Sequence, residues 1–571
     1  MLISPLGDSA LLIEIEAESA EAAATTAQRL ARRLANTLLP GVHDVVPAFG
    51  TVSVHYAPGA VQGDGPAGTV EAWVREQASR PLPKAGAGTR EVTIPVCYGG
   101  NAGPDLAEVA AHAGLSTEEA IALHSEARYV VRAVGFTPGF PYLAGLPAKL
   151  HTPRRATPRT RVPAGSVGIG GAQTGIYPLA TPGGWHLIGR TPLALFDPAS
   201  TPPSRLQVGD VVRFRSVPED AWAASPVESR PPSANKSSEP LLPRRAGALG
   251  PTGDDKLAWM EVVKPGIWTT VQDVGRRGWQ AQGVPVAGAM DCWALRVGNL
   301  LVGNAPEAAA VECTLRGPEV RFSRDAVVAV TGAAVEGIPV WQPFLVRAGE
   351  TLSLAKFAAG CRAYLAVAGG VAVPSVLGSR STYVPAGLGG LEGGALRAGD
   401  RLPLGQPRVQ AVAGGWRLSP AIVPAWSAEP VVRVVRGAQA DWFKAGAWAA
   451  LLGSRYRVAS QSDRMGLRLR GHALDRSEPR EMVSEGVGAG AIQVPPDGQP
   501  IVLMADCQTL GGYPKIAHAI SVDLPVLAQA RPGDSVRFAE TTLEEAQRML
   551  RERERDLGIL RVGLYQRYGV G

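Results

Sequence analysis

The sequence predicts a mainly β protein with an α+β unit at its N-terminus and a β-barrel in each half. Three observations support this fold class. Glycine and proline contribute 68 and 48 of the 571 residues, few segments have long helical periodicity, and a weak internal repeat relates the two halves. Short strands joined by turns with demanding backbone geometry have this composition.

Length and composition indicate a globular protein with several cores. A chain of 571 residues is much longer than a typical domain of ~100 to 200 residues. Apolar residues make up 45% and charged residues 19%, which excludes a disordered chain. No segment approaches the roughly 18 apolar residues of a membrane span, and the start lacks the features of a signal peptide. We therefore expect a cytoplasmic protein that does not associate with membranes.

Cysteine usage and charge argue against three other classes of protein. The five cysteines are scattered and never spaced as CxxC, so neither a zinc knuckle nor a disulfide framework is indicated. The net charge of +6 comes from dispersed arginines without a basic stripe, which argues against nucleic-acid binding. The oligomeric state, including a homo-oligomer, stays open.

The first half divides into two predicted units. Residues 1–85 contain a strand at 10–15, an alanine-rich helix at 20–39 and a second strand at 52–56, which together predict a small α+β domain. Residues 86–215 begin with a helical hairpin at 105–113 and 116–125, where Ser116 and Glu119 have the spacing of a capping box. Strands and turns follow up to residue 214, and the internal repeat described below predicts that this unit is a barrel.

The second half follows a predicted flexible linker. Residues 216–255 are rich in Pro, Ser, Gly and Ala and have no apolar periodicity. In residues 256–571, strand patterns recur between glycine turns, at 260–263, 326–330, 363–367 and 501–504. Helical patterns occur at 289–301, 440–449 and 542–556. This half is therefore predicted to be mainly β.

An internal repeat relates the two halves. A Val-Pro pair, a Gln-Thr pair, a Tyr-Pro pair and the segment VGDVVRF, which ends at Phe214, recur in the same order with PGDSVRF, which ends at Phe538. A Gly-Asp pair before Val-Arg-Phe suits a tight turn that leads into a closing strand. The repeat predicts two related barrels.

The first candidate functional cluster lies between residues 135 and 197. Its glycines allow backbone N–H groups to approach an anion or a flat ligand, and its arginines supply positive charge for a carboxylate or a phosphate. The candidate binding residues are Arg154, Arg155, Gln173 and Tyr177, with His151 as a candidate catalytic residue. The alternative is that the glycines and prolines only shape barrel corners.

The second candidate cluster lies between residues 460 and 515. Carboxylates beside arginine and lysine can hold Mg²⁺ and neutralise phosphate oxygens, as phosphoryl transfer requires. The candidate catalytic residues are Asp463, Arg464 and Lys515, and the candidate residues for binding substrate or ATP are Asp506, Gln508, Gly511, Gly512 and Tyr513. A surface network of salt bridges has the same pattern, and a solvent-exposed lysine is the alternative for Lys515.

A third candidate group comprises Asp273 and Arg277, which are further candidates for binding substrate or ATP. A salt-bridged turn is the alternative here. The GxxxxGKS/T pattern of a P-loop is absent, as are GxGxxG before a helix, GxSxG and HExxH. The residues alone therefore indicate a β-barrel protein that binds a small anionic ligand.

Long motifs in each half resemble known families. The first half carries VCYGG, GFTPGFPYL, HTPRR and VPAGSVGIGGAQTGIYPLATPGGW, and closely resembles the allophanate hydrolase subunit 1 family, which includes the B subunit of 5-oxoprolinase. The second half carries TTVQDVGRRG, SQSDRMGLRL, QVPPDGQPIVLM and QTLGGYP, and resembles the subunit 2 family, which includes the C subunit of 5-oxoprolinase. The resemblance covers nearly the whole chain except the linker, as in a natural fusion of the two subunits.

The resemblance implies cyclophilin-like β-barrels in both halves, in agreement with the internal repeat. It also implies an ATP-dependent system in which the B and C subunits work with a separate 5-oxoprolinase A subunit to open 5-oxoproline to glutamate. A lactam is a poor electrophile, and phosphorylation of its carbonyl oxygen makes ring opening easier. We therefore expect this chain to use ATP and Mg²⁺ for the phosphorylation step, and the A subunit to hydrolyse the ring.

Two alternatives come from the same families. Paired domains of this kind form the carboxyltransferase part of urea carboxylase, although this chain has no biotinylation tetrapeptide of the AMKM type and no biotin carboxylase region. Related separate proteins are an inhibitor of a sporulation kinase and its antagonist, which implies a regulatory binding role. The sequence also leaves open whether the two barrels share one site.

Overall fold

The computed structural model describes residues 1–63, 65–84, 89–218, 258–407, 418–419, 422–478 and 480–568. The described chain is mainly β with a seven-stranded barrel in each half, which confirms the predicted fold class. The predicted linker, 216–255, lies outside the described residues except for 216–218. Within the described ranges, no helix combines the length and the apolar character that crossing a bilayer requires.

The first half contains an eleven-stranded sheet, a two-stranded sheet and four helices. Its strands are β1 (Leu2–Pro5), β2 (Ala10–Glu14), β3 (Val42–Ala48), β4 (Thr51–Tyr56), β5 (Glu91–Tyr98), β6 (Tyr129–Val134), β7 (Pro141–Ala144), β8 (Arg159–Val162), β9 (Ser166–Gly170), β10 (Gln173–Ile176), β11 (Thr181–Gly183), β12 (His186–Arg190) and β13 (Val211–Ser216). Its helices are α1 (Ala20–Asn36), α2 (Pro66–Ser79), α3 (Leu106–Ala113) and α4 (Thr117–Glu126).

The second half consists of two sheets followed by a barrel. Its strands are β14 (Trp259–Lys264), β15 (Trp268–Gln272), β16 (Ala310–Thr314), β17 (Glu319–Phe322), β18 (Ala326–Val335), β19 (Pro343–Val346), β20 (Thr351–Ser353), β21 (Phe357–Val367), β22 (Arg401–Pro403), β23 (Val431–Arg436), β24 (Tyr456–Val458), β25 (Gly466–Arg470), β26 (Glu485–Gly486), β27 (Ala491–Gln493), β28 (Ile501–Leu503), β29 (Leu510–Gly511), β30 (Lys515–Ala519) and β31 (Ser535–Glu540). Its helices are α5 (Cys292–Leu301), α6 (Ala447–Gly453), α7 (Leu524–Gln529) and α8 (Leu543–Arg567).

The N-terminal unit packs α1 and α2 on a sheet of order β1-β2-β4-β3. Helix α1 begins after Ser19, whose side chain accepts a hydrogen bond from the backbone of Ala22 at 3.1 Å. Its apolar face, which includes Leu30 and Leu34, is buried on the sheet. Because β3 also pairs with β6, this unit is continuous with the first barrel.

The two barrels have the same topology. The first closes in the order β5-β12-β9-β10-β7-β6-β13, and the second in the order β23-β30-β27-β28-β25-β24-β31. In each barrel the last strand lies parallel to the first and antiparallel to the strand on its other side. The weak sequence repeat therefore corresponds to a structural one.

The repeated Gly-Asp pair forms the same turn in both barrels. Gly209 and Gly533 have φ angles of 95° and 97°, a region that suits glycine. The next residue in each copy, Asp210 or Asp534, accepts a hydrogen bond from a backbone N–H three residues earlier, at 2.9 or 2.8 Å. This turn delivers the chain into β13 and β31, the strands that close the barrels.

The helix predicted at 440–449 is wrong in its extent. A single 3-10 turn occupies Ala440–Trp442, and α6 begins only at Ala447. Gly446 separates them with a φ of 91°, and a left-handed residue does not continue an α-helix. The capping box predicted at Ser116 and Glu119 is present at the start of α4.

The region between the barrels contains two sheets, β20-β17-β14-β22 and β15-β16-β21-β18-β19. Their inward-facing valines, leucines and alanines form one core. Helix α5 packs on β18 and β21, and Asp291 caps its start by accepting from Ala294 at 2.8 Å. The loop before this helix reaches the space between the two halves.

Candidate functional site

A central cleft of about 680 Å³ lies where the N-terminal unit, the loop before α5, the second barrel and α8 meet. It is lined by His43, His55 and Tyr56 from the first half, and by Arg277, Met290 and His518 from the second. Small-molecule sites have volumes of roughly 300 to 1,000 Å³ and combine apolar walls with a few polar groups. Both halves therefore contribute to one cleft of suitable size.

Two neutral histidines form part of the wall contributed by the first half. Nε2 of His55 lies 3.1 Å from Oγ of Ser53. Burial, and secondarily the charge of Arg277, lowers the pKa of His55 to about 4 and that of His43 to about 3. At neutral pH both rings are uncharged, so each presents one donor and one acceptor nitrogen.

Arg277 is an exposed cation of the cleft. Its Nη1 lies 3.5 Å from Nε2 of His43, a contact between the two halves of the chain. Among the described residues, it forms no ion pair with a carboxylate. A guanidinium presents paired N–H groups that match a carboxylate or a phosphate. Arg277 is therefore suited to bind an anionic group of a ligand.

The other arginines that line the cleft are already engaged. Nη1 of Arg296 lies 2.5 Å from a carboxylate oxygen of Glu554 on α8. Arg553, also on α8, lies 5.1 Å from the ring centroid of Trp293 and donates to the carbonyl of Val522 at 2.8 Å. These contacts fasten the C-terminal helix along the cleft.

A buried network supports the floor of the cleft. Arg464 binds Asp506 through two hydrogen bonds of 2.9 Å, and it also contacts Glu312 and the backbone carbonyl of Gly288. Glu312 in turn accepts from the backbone of Met290 at 2.9 Å. Gly288 and Met290 line the cleft. Arg464 and Asp506 thus lie beneath the floor and hold its backbone in place.

The electrostatics of this network favour its charged form. Burial alone lowers the pKa of Arg464, but the charges of Asp506 and Glu312 outweigh this effect and raise it. An arginine held by two carboxylates and a carbonyl has few N–H groups left for a ligand. The arrangement therefore favours a positioning role over direct contact with substrate.

Lys515 is the first residue of β30 and forms a buried ion pair with Glu485 of β26, a strand that packs against β3 and β4 of the N-terminal unit. Its side chain is fully buried, and Nε2 of Gln439 also donates to Glu485 at 2.9 Å. Burial lowers the pKa of Lys515, and the charge of Glu485 opposes this effect. The described contacts keep Lys515 out of solvent, in contrast to the exposed alternative considered from the sequence.

An aromatic cluster covers the outer face of the first barrel, in the segment where the sequence predicts a ligand, and it packs against β3 and Leu510. Tyr177 packs edge-on against Phe140, with ring centroids 5.1 Å apart, and Trp185 lies 5.6 Å from the same ring. A Cβ atom on Gly170 would lie 2.5 Å from Cδ1 of Trp185. At this position the glycine makes room for an aromatic ring of the barrel itself, as the alternative interpretation holds.

The remaining first-half candidates lie on the surface of this barrel, and none of them is among the described residues that line the central cleft. Nη1 of Arg155 lies 3.3 Å from Asp105. His151 is exposed, and its Nε2 lies 3.1 Å from the carbonyl of Leu146. Arg154 is exposed, and Gln173 begins β10 in a half-buried position.

Two acidic candidates stabilise turns. Asp273 is buried and accepts from the hydroxyls of Ser379 and Ser381, each at 2.6 Å, and from the backbone of Arg380 at 2.6 Å. Asp463 is exposed and accepts from the backbone of Met465 at 2.8 Å. Both carboxylates are occupied by local donors.

Residues 508–513 belong to the second half and contact the first barrel. Leu510 packs into the aromatic cluster of the first barrel, against Gly135, where a Cβ atom would clash with it. Gly511 pairs with Glu485 in the short ladder between β26 and β29. Gln508 is half-buried at the start of this segment, and Gly512 and Tyr513 are exposed at its end.

Sequence reasoning missed the histidines of the cleft. His43, His55 and His518 lie in three separate strands and belong to none of the motifs that resemble known families. Isolated histidines in strand patterns carry no spacing signal. Only the packing of the N-terminal unit on the second barrel brings them to one cavity.

Two family models match the chain. The model for the carboxyltransferase domain, subdomain C and D, matches residues 1–206, and that for subdomain A and B matches residues 282–540. The two halves of the chain therefore correspond to two parts of one domain family.

Curated relatives divide between the halves in the same way. The chain is 41% identical to the 5-oxoprolinase C subunit of Escherichia coli strain K12 over 303 residues, covering 52% of this chain and 96% of that protein. It is 49% identical to the 5-oxoprolinase B subunit of Escherichia coli O157:H7 over 210 residues, covering 37% of this chain and 93% of that protein. It is also 32% identical to urea amidolyase of Lachancea kluyveri, over 55% of this chain but 18% of that protein.

A solved structure covers both halves at once. The crystal structure of TTHA0988 superimposes with a TM-score of 0.77 at 36% sequence identity, covering 93% of this chain and 99% of that chain. The arrangement of the two halves around a common centre therefore occurs in a related protein.

Proposed function

Because the chain belongs to the carboxyltransferase-domain family that includes the B and C subunits of 5-oxoprolinase, we propose that it serves as both of these subunits in an ATP-dependent 5-oxoprolinase. In this proposal the chain activates 5-oxo-L-proline, and a separate A subunit opens the ring to L-glutamate. The observation that carries the proposal is the central cleft, because its lining combines the half that resembles the B subunit with the half that resembles the C subunit.

The cleft has the features that this substrate requires. 5-Oxoproline is a small, flat ring with one carboxylate, and Arg277 is an exposed guanidinium in the cleft wall. The volume of about 680 Å³ exceeds the size of this ring and leaves room for a second, larger reactant such as ATP. The proposal therefore places both reactants in one cavity.

The proposed chemistry is the transfer of a phosphoryl group. The lactam carbonyl oxygen attacks the γ-phosphorus of ATP, the bond to the β–γ bridging oxygen breaks, and ADP leaves with the bonding electrons. One water molecule then opens the activated ring by breaking the C–N bond, and a second releases phosphate from the resulting γ-glutamyl phosphate. Arg277 binds the substrate carboxylate, and Arg464 and Asp506 hold the floor that orients the reactants.

The residues that the structure describes do not form a metal site by themselves. The described chain contains no group of three His, Cys, Asp or Glu side chains arranged to hold a metal ion. Asp506 and Glu485, two acidic side chains of the second candidate cluster, are paired with Arg464 and Lys515.

The decisive experiment measures phosphate and glutamate together. The purified chain is incubated with MgATP, with and without 5-oxoproline and with and without a separately supplied A subunit. We expect glutamate only in the complete mixture, with one phosphate released per glutamate formed. Formation of glutamate by this chain without the A subunit would contradict the proposed division of labour, and no ATP turnover in any mixture would contradict the proposal itself.

A second candidate function is the carboxyltransferase step of a urea carboxylase-like, biotin-dependent system. The match to urea amidolyase favours it, because that match spans 55% of this chain. The biotin carrier and the biotin carboxylase would then come from other chains. Decarboxylation of carboxybiotin by the purified chain, stimulated by urea, is the expected result under this alternative, and its absence beside active 5-oxoproline turnover would exclude it.

A further inference from the structure

His518 is a buried histidine of the cleft wall with an unsatisfied ring nitrogen. It is 2% exposed and lines the central cleft, yet its Nε2 is buried without a hydrogen-bond partner among the described residues. His124, by contrast, uses both ring nitrogens, with Tyr98 Oη at 2.8 Å and Thr174 Oγ1 at 3.1 Å. An unpaired buried polar atom is costly, so it calls for a physical reason.

The backbone of His518 is fixed at the wall of the cleft, while no hydrogen bond among the described residues holds its ring. The residue lies in β30, and its backbone position is fixed by pairing with Val435 on one side and Ala491 on the other. Gly7 of the N-terminal unit covers the ring, since a Cβ atom there would lie 3.8 Å from Nδ1. The ring therefore lies between the second barrel and the N-terminal unit, where both line the cleft.

The chemical state of this ring limits the groups that it can recognise. Burial lowers the pKa of His518 to about 3, with a smaller contribution from the charge of Lys515, so the ring is neutral. A neutral imidazole offers one donor and one acceptor nitrogen. It therefore suits an uncharged polar group, whereas the cationic Arg277 suits an anion.

We propose that His518 is a specificity-determining residue that hydrogen-bonds the lactam group of the bound substrate, while Arg277 binds its carboxylate. This inference rests on the proposed function. A lactam presents an N–H donor and a carbonyl acceptor side by side, and either one can pair with an imidazole nitrogen. Because Nε2 is buried in the free protein, the ring turns towards the cleft when substrate binds, and the unpaired nitrogen then gains its partner.

A matrix of ligands and variants tests this assignment. The ligands are 5-oxoproline, cyclopentanecarboxylate, which lacks the lactam, and pyrrolidinone, which lacks the carboxylate. We expect the intact wild-type chain to prefer 5-oxoproline to each analogue by roughly tenfold in calorimetric titration. His518→Phe should abolish the preference for 5-oxoproline over cyclopentanecarboxylate but keep the preference for 5-oxoproline over pyrrolidinone. Arg277→Gln should keep the first preference and abolish the second.

Stability provides an independent readout. Phenylalanine fills a similar space without leaving a polar atom unpaired, so His518→Phe should leave Tm of the free protein unchanged or raise it. In turnover with the A subunit present, the same variant should raise KM for 5-oxoproline roughly tenfold, the size of one lost hydrogen bond. His112→Asn, on the exposed face of α3, is the matched control and should change none of these quantities.

Each other outcome counts against a specific statement. An equal loss of affinity for all three ligands, or a lower Tm for His518→Phe, would mean that His518 only supports the fold. Unchanged KM in His518→Phe, beside normal turnover by the wild-type chain, would overturn this inference and leave the proposed function intact. A wild-type chain that neither binds 5-oxoproline nor supports turnover would overturn the proposed function and this inference together.

Discussion

Two pairs of charged residues in the interior of this protein join different elements. Lys515 and Glu485 connect β30 to β26, and Arg464 and Asp506 connect the two loops beneath the cleft. Pairing two buried charges roughly balances their loss of hydration, but removing one partner leaves the other charge uncompensated. The effect of a substitution at these sites therefore depends on whether its partner changes too.

We expect Lys515→Met to lower the free energy of unfolding by about 3 to 5 kcal/mol, because it leaves Glu485 buried without its cation. The double variant Lys515→Met/Glu485→Gln should recover most of this loss, since the glutamine can still bond Gln439. Urea unfolding of the two single variants and the double variant measures the coupling. If the double variant lost as much free energy of unfolding as the two single variants together, Lys515 and Glu485 would not be coupled.

Four histidines with lowered pKa make stability depend on acidity. In the folded protein the pKa is lowered to about 3 for His43, His124 and His518 and to about 4 for His55, chiefly by burial. In the unfolded chain these groups titrate near ~6.5. Below that pH the unfolded chain binds protons that the folded histidines do not, so these four groups lower the free energy of unfolding as pH decreases from about 6.5 towards 4. Burial raises the pKa of Asp44 and of Asp291 to about 6, and these two carboxyls oppose part of that decrease.

For each such histidine the slope rises towards a limit of about 1.4 kcal/mol per pH unit as pH falls below the unfolded pKa. Urea unfolding between pH 7 and pH 5 measures how the free energy of unfolding depends on pH. His124→Gln should reduce this dependence by the share of one histidine. A free energy of unfolding that stays constant across this range would contradict the assignment of neutral buried histidines.

At the residue level, the sequence predicts which side chains have suitable chemistry better than it predicts where those side chains lie in the fold. Arg277 was selected as an anion-binding candidate, and the structure places it in the cleft wall. Its partner His43 precedes it by 234 positions, and no pattern within either segment reports that distance. Asp463 and Asp273 also have suitable chemistry, but they accept from neighbouring backbone or hydroxyl groups, which only the folded turns reveal. The catalytic and binding roles of the candidates stay predictions.

Among the elements, the repeated Gly-Asp turn gives a prediction that compares the two barrels. Gly533→Ala should cost about 1 to 2 kcal/mol because alanine is strained at positive φ. Gly209→Ala should cost more, because the new Cβ atom displaces the side-chain amide of Gln28 and breaks its hydrogen bond to the carbonyl of Val208. Thermal unfolding of both variants measures the difference.

Gly533→Asn serves as the control, since asparagine tolerates the left-handed region better than alanine. It should be less destabilising than Gly533→Ala. Equal losses for alanine at the two positions would contradict the assigned contact with Gln28.

Elements with a local signal were predictable and those set by long-range contacts were not. The capping box at Ser116 and the turn before Phe538 follow from a few adjacent residues, and both are present. The helix expected at 440–449 failed at Gly446, whose left-handed conformation interrupts it. The sequence repeat predicts that the two barrels are alike, but it does not predict the order of strands within them, because paired strands are distant in sequence.

The whole molecule is held together by contacts between its halves. Asp8 accepts from the backbone and side chain of Ser521, at 2.7 and 2.5 Å. Gln207 and Gln282 exchange two hydrogen bonds of 2.9 and 2.8 Å through their side-chain amides. These contacts, with the shared cleft, make the two halves one structural unit.

We expect the halves to reassemble without a covalent link. Residues 1–218 and 258–571, produced as separate chains and mixed, should elute together in size-exclusion chromatography and should bind 5-oxoproline only as the mixture. Asp8→Lys, which removes the acceptor for Ser521, should weaken the association. Ligand binding by either isolated half at the affinity of the mixture would contradict a shared cleft.

The contact between His43 and Arg277 also constrains how this protein can diverge. Each residue belongs to a different half, so relatives that encode the halves as separate genes must still keep the two positions compatible. A change at position 277 that removes the guanidinium relaxes the requirement for a neutral ring at position 43. In the same way, a change at position 43 that removes the ring relaxes the requirement for a guanidinium at position 277. We therefore expect these two positions to change together in lineages that have taken up a different substrate, whether their halves are fused or free.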